Sequence, residues 1–160
     1  MSVDFATLEI DQELSDKSYV LDAQTVERYI GAVGDGSGIY QPADDRPIVP
    51  AMAVAALGLR GIVADLGIPE GAVHAGQELE FSAVVRVGDA LRCRAVLSQY
   101  AVRGETRLVS LRLSVEDGAG RQVMTGKTTL LMPGGTAHAG AGGGGSAMTT
   151  AERGDVGSEY

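Results

Sequence analysis

Side chains able to do chemistry are sparse in this chain of 160 residues, which holds two histidines and one cysteine. The densest grouping lies in YIGAVGDGSGIYQ at 29–41, where Asp35, Ser37 and Tyr40 stand close together. A carboxylate and a phenol five residues apart can share proton work only if one is a base near neutral pH. A phenol, with an ordinary pKa near ~10, is not. Asp35 reads equally well as a turn carboxylate at a helix end and as a proton-handling group. Tyr40 reads first as a packed ring with its hydroxyl bonded nearby. His74, in the stretch VHAG, reads first as a turn or interface histidine, with ligand contact and a substitute catalytic role as alternatives. His138 sits among glycines and is expected in solvent. GDGSG at 34–38 has the look of a phosphate loop, but no strand pattern precedes it and no Lys-Ser/Thr follows. Cys93 alone provides neither a disulfide nor metal spacing, so no metal site is expected and a reducing cytoplasm is the natural setting.

These residues are spaced by recognisable elements. Ala51 to Leu66, AMAVAALGLRGIVADL, carries only Arg60 and Asp65 as charges and reads as a helix apolar on nearly every face, with Leu57 at its centre. Pro47 and Pro50 precede it, and Gly67 and Pro69 stop it. Asp65 falls in its last turn and reads as solvated. A shorter helix is expected from Ala23 to Ala32, capped by Asp22, with Val26, Tyr29, Ile30 and Val33 as its apolar stripe. Four strand-like runs follow the long helix. Leu79, Phe81, Ala83 and Val85 alternate in the first; Leu91, Cys93, Ala95 and Leu97 in the second; Val109, Leu111, Leu113 and Val115 in the third. RQVMTGKTTLLM closes the set after a hairpin signal, DGAG, at 117–120. A period of two with short turns predicts an antiparallel meander, and one apolar helix beside such a meander predicts an α+β hot-dog fold, the sheet wrapped around the helix.

Composition divides the chain near Met132. PGGTAHAGAGGGGS at 133–146 has seven glycines in 14 residues, so residues 1–132 are expected as the folded domain and 133–160 as a flexible tail or linker. The net charge of −8 argues against sequence-independent nucleic-acid binding. The acidic N-terminal segment does not read as a signal peptide, and the longest apolar stretch is broken by Arg60 and Asp65, so no membrane span is expected.

The segment at 29–41 resembles the signature of MaoC-like (R)-specific enoyl-thioester hydratases and 3-hydroxyacyl-thioester dehydratases. That pattern runs aromatic, small residues, Gly-Asp, any residue, Asn-Pro, an aliphatic residue, then His. Tyr29, Gly34, Asp35 and Ile39 match it; Ser37, Gly38 and Tyr40 stand where Asn, Pro and the catalytic His are usual. VHAGQELEFSAVVRVGDAL at 73–91 resembles the first long strand and turn of the same family, closest to its non-catalytic halves and subunits. The resemblance covers roughly residues 8–132. It implies a degenerate dyad, Asp35 and Tyr40. It also implies an acyl-thioester site to which Ala51 contributes a backbone N–H, with Ser37 and His74 as further contacts. No cofactor is implied beyond the coenzyme A or acyl carrier protein that carries the substrate. Arg86, Arg92, Arg94 and Arg107 are expected as a modest basic patch that could meet such a carrier.

Three functions follow from the resemblance. The first is a cytoplasmic, non-catalytic subunit that completes the acyl site of a catalytic hot-dog partner, in a homodimer or heterodimer. The second is an active homodimeric hydratase/dehydratase using Asp35. The third is a protein that binds an acyl thioester or hydrophobic small molecule without turnover. The end of the chain, TTAERGDVGSEY, resembles the opening of a further domain of the same kind, so a tandem protein and a plain tail both stay open.

Overall fold

The computed structural model describes residues 3, 7–37 and 46–134. In chain order its elements are β1 (Glu13–Val20), α1 (Ala23–Val33), α2 (Ala51–Leu66), β2 (Val73–Phe81), β3 (Ala90–Arg103), β4 (Thr106–Asp117) and β5 (Gln122–Pro133). The strands form one antiparallel sheet in the order β1-β3-β4-β5-β2, with α2 against its β1 and β3 side. This is the expected α+β arrangement, and α2 has the bounds read from the sequence. The expected tail lies almost wholly outside the described residues. Among the described residues, no helix is long and apolar enough to cross a membrane.

The sheet is built as the period of two dictates. Cys93 pairs with Val115 and Val115 with Met124, giving one inward row across three strands. α2 crosses that row at Gly58, where an added Cβ would lie 3.6 Å from Val115 and 3.9 Å from Met124. A second buried cluster gathers Leu97, Leu111, Leu113, Leu130 and Met132 around Ile62 and Leu66 in the last turns of α2.

Four expectations change. A fifth strand, β1, joins the sheet; its residues facing the helix are Ser15, Lys17 and Tyr19, which is why no hydrophobic alternation announced it. β2 ends at Phe81 rather than running on to Val85. Val85 is still buried, because the connection after β2 is tied to the segment before α2, with Val49 N–H donating to the Val85 carbonyl at 2.9 Å and Val87 N–H to that of Pro47 at 2.9 Å. α1 is capped as expected, Asp22 accepting from Thr25 N–H at 2.7 Å, but Val33 in its last turn is exposed. Finally, α2 is not buried all round. Ala53, Val54, Ala55, Gly58, Gly61, Ile62 and Leu66 are covered, while Met52 and Val63 are each 53% exposed and Leu57 is only half-buried. One sheet from one chain covers one side of the helix and leaves the other open.

Candidate functional site

The start of α2 is the natural place to look for chemistry. Its N-cap, Pro50, has no side chain able to bond the first turn, and no other side chain caps the helix. The Pro50 carbonyl accepts from Ala53 N–H at 2.9 Å, whereas the N–H of Ala51, the first helical residue, has no acceptor within the helix. Ala51 therefore presents a donor at the positive end of the helix dipole. Ala51 also lines an apolar slot of about 370 Å³, with Ile48, Val54, Phe81, Val84 and Val123 among others. An apolar slot beside a backbone donor can seat an acyl chain and polarise a carbonyl oxygen.

Asp35 and Ser37 stand together just beyond α1. Gly34 terminates α1 at φ 67°, and Asp35 N–H donates to the Ile30 carbonyl at 3.2 Å. The Asp35 carboxylate accepts from Ser37 N–H at 2.9 Å, so this half-buried side chain is engaged in its own turn. Neither residue lines the slot at Ala51. Tyr40 lies outside the described residues. α1 itself is held to α2 across a small apolar crevice of about 150 Å³ between Val26, Tyr29, Ala53 and Leu57.

His74 is placed elsewhere. It sits at the start of β2, opposite Leu130, with Nε2 2.9 Å from the Thr128 hydroxyl. Phe81, which lines the slot with Ala51, closes the other end of β2. At about 3.3 Å per residue the strand separates the two by roughly 20 Å. A neighbour of His74 escaped sequence reasoning altogether. Leu97 pairs with Leu111, Leu111 with Thr128, and Thr128 with Gln77, forming one row that ends on edge strand β2. Both amide atoms of Gln77 are buried there without a hydrogen-bond partner among the described residues. A glutamine within GQELEF reads as an ordinary polar strand residue, and only the pairing reveals its position.

The charges also regroup. The expected basic patch does not form, because its members are dispersed and Arg92 and Arg94 are paired with carboxylates. Arg92 bonds Asp16 at 2.9 Å and holds that carboxyl below its usual range, and Arg94 bonds Glu116 at 2.7 Å. Arg107 lies at the start of β4, whereas Arg86 lies near Asp117 at its far end. Asp65 is not simply solvated. The Ser15 hydroxyl and then Lys17, at 3.1 Å, bind its carboxylate and lower its pKa. Burial pushes the Cys93 thiol up to about 11, which makes it unreactive. Among the described residues, no group of His, Cys, Asp and Glu could hold a metal ion.

A family model described as FAS1-like, dehydratase domain region, matches residues 9–126. Among curated proteins none matches the sequence. The (R)-hydratase from A. caviae involved in PHA biosynthesis superimposes with a TM-score of 0.66 at 24% identity, over 79% of this chain and 98% of that one. A C-terminally truncated HadBC (3R-hydroxyacyl-ACP dehydratase) complex from Mycobacterium tuberculosis gives a TM-score of 0.62 at 18% identity, over 76% of this chain and 99% of that one. A putative MaoC domain protein dehydratase from Chloroflexus aurantiacus gives 0.73 at 16% identity, over 88% of this chain but 43% of that one. These likenesses establish the MaoC-like hot-dog fold.

Proposed function

The chain belongs to the FAS1-like dehydratase domain region family, and from that membership we propose that it is a non-catalytic, cytoplasmic subunit completing the acyl-thioester site of a catalytic hot-dog partner. The observation that carries this reading is the placement of His74. It is the sole histidine among the described residues, and it is bonded to Thr128 at the opposite end of β2 from the slot at Ala51. Hydration of an enoyl thioester needs a group to activate water and another to protonate the α-carbon. Here the slot holds an oxyanion donor, Ala51 N–H, with no imidazole beside it among the described residues. The β2 edge supports the need for a partner: among the described residues no strand pairs with its outer side, and Val73, Phe81 and Val84 beside it are exposed. The HadBC structure, an assembly of hot-dog subunits, has the same fold. The substrate on this reading is an acyl group carried on coenzyme A or a carrier protein.

The test is turnover of crotonyl-coenzyme A by the purified chain and by the chain co-expressed with a hot-dog protein bearing intact Asp and His. The chain alone is expected to be slower by at least ~100-fold, the lower end of what general acid–base help contributes. Robust turnover by the chain alone, abolished in Asp35→Asn, overturns the proposal in favour of an active homodimer. Binding of the thioester with no partner and no turnover favours a plain binding protein.

A further inference from the structure

Resting on the partner-completed site proposed above, we infer that Glu78 and Glu80 select which chain is accepted at the β2 edge. They disfavour a second copy of this chain and favour a different hot-dog chain whose own edge strand presents lysine or arginine. The side chains of β2 alternate between the two faces of the sheet. Gln77 stands opposite the buried Thr128, and Leu79 packs against the buried cluster that includes Val115 and Met124, so these two face the helix side. Glu78 and Glu80 therefore lie on the outer face, where both are exposed.

The two acids are not tied down from within the sheet. Glu80 stands opposite Thr125, and Glu78 opposite Lys127, which lies on β5, away from the edge. Among the described residues neither glutamate forms an ion pair with Lys127 or with another cation. Arg112, next in the row beyond Lys127, is bound to Asp11 at 3.1 Å. The other edge strand is arranged differently, since Asp16 of β1 is held by Arg92 at 2.9 Å. The acid on β1 is thus answered from the neighbouring strand, and the acids on β2 are left for whatever strand is laid beside them.

Two copies of β2 laid antiparallel continue one sheet only if their helix-facing residues stay on one side, so Gly76, Glu78 and Glu80 must meet residues of the same set. With the strands paired over their full length, centred on Gln77, Glu78 of each copy faces Gly76 of the other. The two Glu78 side chains then lie on the diagonal, about 7–8 Å apart. Centred on Glu78, the two Glu78 carboxylates stand directly opposite; centred on Leu79, each Glu78 faces a Glu80. A slide the other way runs into the bulge between His74 and Gly76. Each of these three registers brings carboxylates together. Like charges opposite each other destabilise a strand pair and opposite charges stabilise it, so complementary charge acts chiefly on the choice of partner. Basic side chains at the facing positions of another chain turn the same contacts from repulsive to attractive. On the helix side, that strand has to offer apolar residues to Leu79 and to Phe81, which is 38% exposed.

The experiment follows association of the full chain by analytical ultracentrifugation, alone and mixed in equal amounts with a variant carrying Glu78→Lys and Glu80→Lys. Both positions are exposed, and thermal unfolding checks that the variant keeps its fold. The mixed pair has the strand shape of the parent pair and differs from it in charge. The mixture is expected to associate at least ~10-fold more tightly than the parent with itself or the variant with itself. Most of that advantage is expected to vanish in about 1 M salt, where the Debye length falls to ~3 Å. Should the lysine variant fail to fold, Glu78→Gln with Glu80→Gln is expected to associate with itself more tightly than the parent does. A parent that associates with itself as tightly as the mixture, a mixture that does not associate, or an advantage indifferent to salt overturns the inference. So does a glutamine variant no tighter than the parent. The catalytic partner and turnover play no part in this measurement. A charge-selective edge on a chain that never supports turnover with a catalytic hot-dog protein sinks the subunit proposal alone. Supported turnover beside charge-blind association sinks this inference alone.

Discussion

The two edges of the sheet are finished differently. β1 is sealed from within the chain: Tyr19 and Lys17 press on Gly61 of α2, Ser15 and Lys17 bind Asp65, and Asp16 holds Arg92 on the neighbouring strand. Among the described residues neither edge strand has a strand on its outer side, but on β2 Val73 and Phe81 are exposed at the two ends, and the amide of half-buried Gln77 between them is covered and unmatched. Polar residues appear at both edges: on β1, Ser15 and Lys17 bind Asp65 of α2 and Asp16 binds Arg92 of β3, and on β2 His74 meets Thr128 of β5 while the Gln77 amide is unmatched among the described residues. The same sheet thus has one edge strand tied by its side chains to α2 and β3, and one that combines exposed apolar ends with an amide unmatched among the described residues.

The largest effect is expected where the sealed edge is tightest. A Cβ at Gly61 would collide with the Tyr19 hydroxyl and sit 3.1 Å from Lys17. Gly61→Leu is expected to cost at least about 3 kcal/mol, the upper range for overpacking, or to prevent soluble expression. Chemical denaturation of the variant checks it, and a stability within ~0.5 kcal/mol of the parent would show that β1 is loosely held. On the open edge the contrast is sharp. Phe81→Glu is expected to change the stability of the isolated chain by less than about 1 kcal/mol, because the ring is already 38% exposed. It is expected to abolish association, read by analytical ultracentrifugation. Loss of fold without loss of association would invert the assignment of the two edges.

How much of this was legible in the sequence follows from the same contrast. α2 and strands β3 to β5 announce themselves because their inward residues are uniformly apolar: Leu91, Cys93, Ala95 and Leu97 on one strand, Val109 to Val115 on the next. β1 did not, because its inward face is Ser15, Lys17 and Tyr19, residues that satisfy α2 by hydrogen bonds and close packing. The all-apolar composition of α2 suggested burial on every side, yet composition cannot distinguish cover supplied by the same chain from cover supplied by another. The Ala51 donor was readable, since a helix start after Pro50 follows from proline chemistry alone. The meeting of Arg46 and Arg121 was not: they are brought to one depression by pairings that no local pattern encodes. Asp35 was readable as a residue of interest, and its turn with Ser37 agrees with the reading of a helix-end carboxylate.

A smaller effect separates the edges by pH. The Ser15 hydroxyl, with Lys17 beyond it, holds the Asp65 carboxyl below its ordinary value. A depressed folded-state pKa stabilises the fold above the unfolded carboxylate value near ~3.9, and that stabilisation is lost as pH falls through the lower folded value. Asp65→Asn is expected to lower stability at neutral pH by about 1 kcal/mol and to flatten the acid limb of the profile. Melting temperatures of parent and variant, followed from neutral pH into the acid range, check this. Parallel curves would show that Asp65 does not help to close the β1 edge.

The smallest and most discriminating effect is expected at Gln77. Its Oε1 and Nε2 are buried at the end of the row formed by Leu97, Leu111 and Thr128. A buried polar atom left without a partner costs about 1–3 kcal/mol, and replacing it by an apolar group of similar size removes that cost. Gln77→Leu would extend the two leucines of the row by a third side chain of suitable shape. For the isolated chain the expected gain, after allowance for imperfect packing, is about 1 kcal/mol, or roughly 3 °C in melting temperature. For the chain bound to a partner at β2, the expectation reverses if that partner supplies the donor and acceptor the amide lacks, because the substitution then deletes two hydrogen bonds. Thermal unfolding of the parent and the variant, alone and in the co-purified complex, reads both halves. A gain alone and a loss in the complex would identify Gln77 as a group completed by association. An unchanged melting temperature for the isolated variant would mean the amide is already satisfied within the single chain, and the two edges would differ only in their exposed apolar surface.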